Sequence, residues 1–137
     1  GITMAIGASL AVEGRKTVAL IGDGGFYVSL GELATAVQER ADVVFVVMND
    51  KGYGVIRNIQ DAKFGGRRHY VDLHMPEFAN LSNTMGLPYF RVADTGEMAA
   101  ALAAALAVHG PTLVEIDMTE IGPFARPFAG PPVRKVE

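Results

Sequence analysis

The feature that most constrains this chain is the unbroken run VVFVVM at 43–48. A strand with one wet face alternates apolar and polar side chains, so a run with no polar member must be buried on both faces. Its β-branched residues favour a strand over a helix. Covering both faces requires helices above and below, linked by crossovers, and that is the build of a parallel sheet. The rest of the chain supplies the parts. Short apolar runs at 17–21, 89–93 and 112–118 read as three more strands. Between them lie helical patterns. The small and apolar residues of 3–13 precede Gly14, a suitable left-handed stop. Ser29 and Glu32 have capping-box spacing before a helix to about Arg40. Tyr53 to about Asp61 is a weaker helix, and Pro76 opens another that Gly86 ends. Asp94 and Glu97 form a second capping box before an Ala-rich helix to about Val108, with Met98, Leu102 and Leu106 as its core stripe. The expected fold is α/β: a doubly wound parallel sheet with helices on both faces and right-handed crossovers. Residues 1–121 make one domain. Residues 122–137 hold four of the seven prolines and read as a Pro/Gly-rich tail.

Composition narrows the function. The net charge is -3, and no basic run stands out beyond Arg67-Arg68, so no nucleic-acid partner is expected. No apolar stretch approaches the ~20 residues that span a bilayer, and no membrane partner is expected. The absence of cysteine rules out disulfides and thiolate-bound metals, and it fits the cytoplasm, where we expect the protein to work. The chain opens on Gly1 within an apolar segment, which we read as the start of a piece of a longer chain.

In open α/β sheets, ligands bind at the carboxyl ends of strands. Two such ends carry chemistry here. Gly22-Asp23-Gly24-Gly25 follows the strand at 17–21, and Asn49-Asp50-Lys51-Gly52-Tyr53-Gly54 follows the run at 43–48. If the two strands are neighbours, Asp23 and Asp50 emerge at one edge. Paired carboxylates suit a hard divalent cation such as Mg²⁺, which keeps phosphate and water among its six oxygen ligands. Gly24 and Gly25 lack a Cβ, so the backbone can approach an anion and aim amides at it, and the positive end of the next helix points the same way. GDG alone is a common strand-to-helix turn; the pair of acids at two strand ends is the stronger signal.

The stretch GDGGFYVSLGELATAVQERADVVFVVMNDKGYGVI resembles the thiamine-diphosphate signature: GDG, a spacer of roughly 25 residues, then an Asn-rich turn. MAIGASLA before it and GPTLVEIDM after it agree. The resemblance is to the C-terminal domains of the acetolactate synthase, benzoylformate decarboxylase and pyruvate decarboxylase group, and it extends to about residue 120. It implies a thiamine-diphosphate-binding fold with thiamine diphosphate and Mg²⁺ as cofactors. Asp23 and Asp50 match the metal ligands, and Gly52 matches the position whose carbonyl completes them. Gly22 opens the motif, and Gly24, Gly25 and Phe26 match the turn whose amides face the diphosphate. Tyr53 lies beside it, and Val55 and Ile56 match positions that face the cofactor and substrate cavity. Asp50 stands where the family usually carries Asn. Asn49 is the alternative ligand; the register of Gly52-Tyr53 favours Asp50.

The implied activity is that of a 2-oxoacid decarboxylase or carboligase acting on a small 2-oxoacid. The relay glutamate would come from a pyrimidine-binding domain of the same or a neighbouring subunit, in a homodimer or homotetramer. The apolar residue that bends the cofactor would lie upstream of Gly1. The chain alone should therefore be inert, with no catalytic residue of its own. A non-catalytic Mg²⁺/diphosphate-binding scaffold is the alternative. A response-regulator-like or phosphatase domain also clusters acids at strand ends, but the GDG turn counts against it. His69 and His74 read as solvated loop histidines, His109 as a helix-end cation, Arg67-Arg68 as a solvated loop and Glu32 as a cap.

Overall fold

The computed structural model describes residues 1–12 and 14–122, together with Phe128 and Gly130. The expected tail otherwise lies outside the described residues. Four parallel strands form one sheet in the order β1-β2-β4-β3, with β1 at Thr17–Gly22, β2 at Val43–Asn49, β3 at Tyr89–Val92 and β4 at Thr112–Asp117. The helices are α1 (Ile2–Ala11), α2 (Asp23–Tyr27), α3 (Leu33–Gln38), α4 (Gly54–Phe64), α5 (Phe78–Met85), α6 (Met98–Ala107) and α7 (Met118–Ile121). The sheet is an open, doubly wound one, as the run at 43–48 requires. β2 is central, and Val43, Val44, Phe45 and Val47 are fully buried.

Strand periodicity splits the core in two. Odd residues of β2 (Val43, Phe45, Val47) meet α1, α2, α3 and α5, through Ile2, Ile6, Phe26, Leu33, Ala36 and Phe78. Even residues (Val44, Val46) meet α6, through Ala105, with Met98, Ala101 and Leu102 packed beside it. The chain moves one way across the sheet from β1 to β2 to β3 and back from β3 to β4. A constant crossover hand then puts α3 and α5 on one face and α6 on the other. Phe26 is the pivot of the first cluster. Its ring meets Phe45 edge-on at 6.2 Å and Phe78 at 5.6 Å, contacts worth about 0.5–1.5 kcal/mol each beyond burial. Among the described residues only one face of β1 is covered: Ala19 and Ile21 join the first cluster, while Val18 and Leu20, on the opposite face, are 53% and 72% exposed.

Two local expectations need correction. Ser29 makes no side-chain cap; Glu32 instead accepts from Thr35 Oγ1 at 3.0 Å, and the segment enters α3 through a 3₁₀ turn at Leu30–Glu32. Leu106 is 47% exposed rather than core. Residues four apart drift by ~40° around a helix, so the third member of the Met98-Leu102-Leu106 stripe has rotated off the packed face and Ala105 takes its place. The Asp94–Glu97 capping box is present in full. Among the described residues no helix is long and apolar enough to cross a membrane.

Candidate functional site

β1 and β2 lie side by side with Gly22 opposite Met48, so the turns that follow them open at one edge of the sheet. The first is no free loop: α2 begins on Asp23 itself. The Asp23 carboxylate is buried. Oδ1 accepts from Gly24 N–H at 2.8 Å, and Oδ2 accepts from Gly52 N–H at 2.9 Å. One side chain thus ties the turn after β1 to the turn after β2. The second turn is pinned from the other side. Tyr53 N–H donates to the Val71 carbonyl at 2.7 Å, Leu73 N–H donates to the Lys51 carbonyl at 3.1 Å, and Gly52 sits opposite Asp72 in an antiparallel bridge. An extended residue points its N–H and C=O to the same side. Gly52 aims its N–H at Asp23, so its carbonyl faces that side as well.

Burial pushes the Asp23 carboxyl above its ordinary range. The charge of Asp50 adds to the rise, and the amides of Gly24, Gly52 and Lys51 offset only part of it. No cation among the described residues offsets this at Asp23, and a divalent cation would supply that charge. Among the described residues no three His, Asp or Glu side chains converge as a metal cage. A cation held here would draw its remaining ligands from backbone, phosphate and water, the pattern Mg²⁺ prefers.

The two turns, with Met118 after β4, enclose a cavity of about 370 Å³. Of the residues singled out in the sequence, Gly22, Asp23, Gly24, Gly25, Asp50, Gly52, Tyr53, Val55 and Ile56 line it; Phe26, whose side chain is in the core, and the alternative ligand Asn49 do not. The Gly24 amide faces Asp23. At Gly24, Gly52 and Gly54 there is no room for a side chain, whereas Gly22 and Gly25 have space for one. A Cβ on Gly24 would lie 2.6 Å from the Tyr53 ring, one on Gly54 would strike the Asp50 carboxylate, and one on Gly52 would strike Arg57 and the Val71 carbonyl. Met48, Gly54, Asn58, Met118 and Phe128 also line the cavity and were not singled out. Strand alternation could have found Met48, which shares a face with Val44 and Val46. Helical spacing could have found Asn58, one turn past Gly54.

Asn49 points elsewhere. It is buried, and its Nδ2 donates to Glu115 Oε1 at 2.5 Å. Glu115 also accepts from the Tyr89 hydroxyl, whose pKa is raised by burial and by that carboxylate. Arg91 and Asp117 pair at 2.7 Å nearby, and Asp117 caps α7 through Thr119 N–H at 2.9 Å. This polar crevice lies over the α5 side of the sheet and is separate from the cavity that holds Asp23 and Asp50. His69 is exposed at the end of the loop after α4, where its backbone pairs with Gln60, and His74 borders the polar crevice. Arg68 is paired with Asp61 through two hydrogen bonds of 2.7 Å.

Two carboxylates in a glycine-walled cavity at the carboxyl end of a parallel sheet lie where an α/β domain of this kind binds its ligand. The comparisons with known proteins make the class specific. Residues 1–116 match the thiamine pyrophosphate enzyme family, C-terminal TPP binding domain, and the chain belongs to that family. It is 34% identical over 112 residues to acetolactate synthase of Bacillus subtilis (strain 168), covering 82% of this chain and 20% of that protein. It is 36% identical over 112 residues to the catabolic acetolactate synthase of Raoultella terrigena, covering 82% of this chain and 20% of that one. In structure it is similar to the thiamine diphosphate-dependent 4-hydroxybenzoylformate decarboxylase of Rhodococcus jostii RHA1, with a TM-score of 0.75 and 31% identity over 82% of this chain and 21% of that one. The chain thus spans about a fifth of the relatives it matches.

Proposed function

We propose that this chain is the Mg²⁺- and diphosphate-anchoring domain of a thiamine-diphosphate-dependent 2-oxoacid decarboxylase or carboligase of acetolactate synthase type. The observation that carries the reading is the meeting of Asp23 and Asp50 in one glycine-walled cavity within a chain of this family. In this reading the Asp23 and Asp50 carboxylates and the Gly52 carbonyl hold Mg²⁺. Gly22 and Gly25 leave room for the diphosphate. Tyr53 braces Gly24 and so keeps the two turns in register. Val55 and Ile56, exposed at the mouth, form with Met48 an apolar wall that keeps water from the reacting end. The residues fit such a cofactor: a buried carboxylate with a raised pKa gains most from a cation, and amides already bonded to Asp23 hold it rigid before binding.

When bound, thiamine diphosphate supplies the nucleophilic carbon and the electron sink for breaking the bond to the carboxylate of a 2-oxoacid. This chain's part is to anchor and orient. The acid that activates the cofactor belongs to a pyrimidine-binding domain of the same or a neighbouring subunit, in a homodimer or homotetramer, and the protein works in the cytoplasm.

Fluorescence titration of the full-length protein with thiamine diphosphate, with and without Mg²⁺, tests the site. Asp23→Ala should abolish Mg²⁺-dependent binding. Asp50→Asn should bind at least comparably to wild type, and Asp50→Ala should not. Wild-type affinity in Asp23→Ala, or damage from Asn49→Ala in place of Asp50→Ala, would sink the assignment.

A further inference from the structure

We propose that Arg57 is a positioning residue of this cavity, one that balances the charge of Asp50 and holds its turn in place; the proposal rests on the cofactor reading above. Arg57 lies in the first turn of α4, where its N–H donates to the Tyr53 carbonyl at 2.9 Å. Its guanidinium folds back over the turn after β2. Nη1 is 4.0 Å from Asp50 Oδ2, and Nη2 is 3.4 Å from Asp72 Oδ1. The side chain is only 21% exposed, and Nε is buried without a hydrogen-bond partner among the described residues. An arginine that leaves Nε unpaired in a partly buried place gives up solvation. The two carboxylates that flank it supply the compensation.

Position matters as much as charge. Nη2 lies against Gly52 so closely that a Cβ there would collide with it. Arg57 therefore touches the turn at Gly52 and faces the carboxylate of Asp50, while Asp23 holds Gly52 from the far side. It also joins that turn to the 71–73 segment through Asp72, parallel to the backbone bridge between them. With a divalent cation bound, Asp23 and Asp50 are neutralised, and an incoming diphosphate leaves the site with surplus negative charge. Arg57 offsets that surplus from behind Asp50.

A role through Asp50 and a role as a mere clamp on Asp72 make different predictions. In the full-length protein, the Mg²⁺ concentration for half-maximal thiamine-diphosphate binding is measured by fluorescence and by calorimetry, beside thermal unfolding. We expect Arg57→Met to raise that concentration by about tenfold in the wild-type background, a coupling typical of a close charged pair. In an Asp50→Asn background the same change should cost within about twofold. Arg57→Lys should recover part of the loss, and Asp72→Asn should leave the Arg57–Asp50 coupling in place. Equal losses from Arg57→Met in both backgrounds, or a loss tracked entirely by Asp72→Asn, overturns the inference and leaves the cofactor reading standing. Absence of Mg²⁺-dependent binding in the wild type overturns that reading and this inference with it.

Discussion

Replacing Gly24 with Ala sets a methyl group against the Tyr53 ring. The new Cβ would lie 2.6 Å from both Cδ1 and Cε1 of that ring and 3.4 Å from Leu73 Cδ1. Carbon atoms in contact sit ~3.5–4.0 Å apart, so an overlap of about 1 Å must be relieved. The backbone has little freedom to yield. Gly24 N–H is tied to Asp23, and its carbonyl accepts from Val28 N–H at 3.4 Å. The relief falls on Tyr53, whose ring must swing away from Gly24 within the cavity it lines. Two effects oppose each other. Gly24 is helical and has no left-handed φ, so Ala gains about 1 kcal/mol of helix propensity. Overpacking costs about 1–3 kcal/mol. The net is a loss of about 1 kcal/mol, readable as a shift in the urea midpoint with an unchanged slope. The decisive measurement is the double-mutant cycle. With the ring removed by Tyr53→Ala, the added Gly24→Ala should be neutral or stabilising by up to about 1 kcal/mol, a coupling of about 1–3 kcal/mol. Strict additivity of the two changes would refute the argument that the glycine is held by the ring.

Two further outcomes are expected. Lys16 Nζ bonds Asp42 Oδ1 at 2.5 Å and also donates to the Val108 and Gly110 carbonyls, and this hydrogen bond from Lys16 above all holds the Asp42 carboxyl below its ordinary 3.8. A depressed folded-state pKa contributes stability that is present above 3.8 and lost as pH falls through the lower folded value; with Asp42 40% exposed and screened by solvent, Lys16→Met should cost about 1 kcal/mol at neutral pH and flatten that acid limb in pH-dependent unfolding. The 137-residue chain alone should release no CO₂ from pyruvate or benzoylformate at saturating Mg²⁺ and thiamine diphosphate; release above a no-protein control that disappears with Asp23→Ala would show that the catalytic acid lies within it.

Much of the fold was legible because burial dictates pattern. The apolar run at 43–48 could be accommodated only in the middle of a covered sheet, and it is there. Its neighbours were found by the same logic, and Asp94-Glu97 capped as its spacing implied. Ser29-Glu32 has the same spacing and failed, because the backbone at Ser29 departs from the extended form a cap needs. Spacing carries no information about that. At the site, sequence placed the two acids at two strand ends, but it did not make those strands neighbours, distinguish turn from helix at Asp23 or foresee that Gly24 and Gly52 would both serve its carboxylate. The Gly52 bond joins residues far apart in the chain, as does the contact between Gly24 and Tyr53. Arg57 was passed over because an arginine within a weakly amphipathic helix carries no signal until the helix is seen to start on the turn it covers.

β1 has a practical consequence of its own. It pairs with β2 on one side, and among the described residues nothing pairs with the other. Val18 and Leu20 stand beside that open edge in water. Exposed backbone groups next to aliphatic side chains are what allow chains to stack edge to edge. A sample of this chain alone is therefore limited by colloidal behaviour before it is limited by unfolding. Clouding on concentration, at temperatures where the core is intact, reports the bare flank of β1 and says nothing against the integrity of the cavity at the strand's far end.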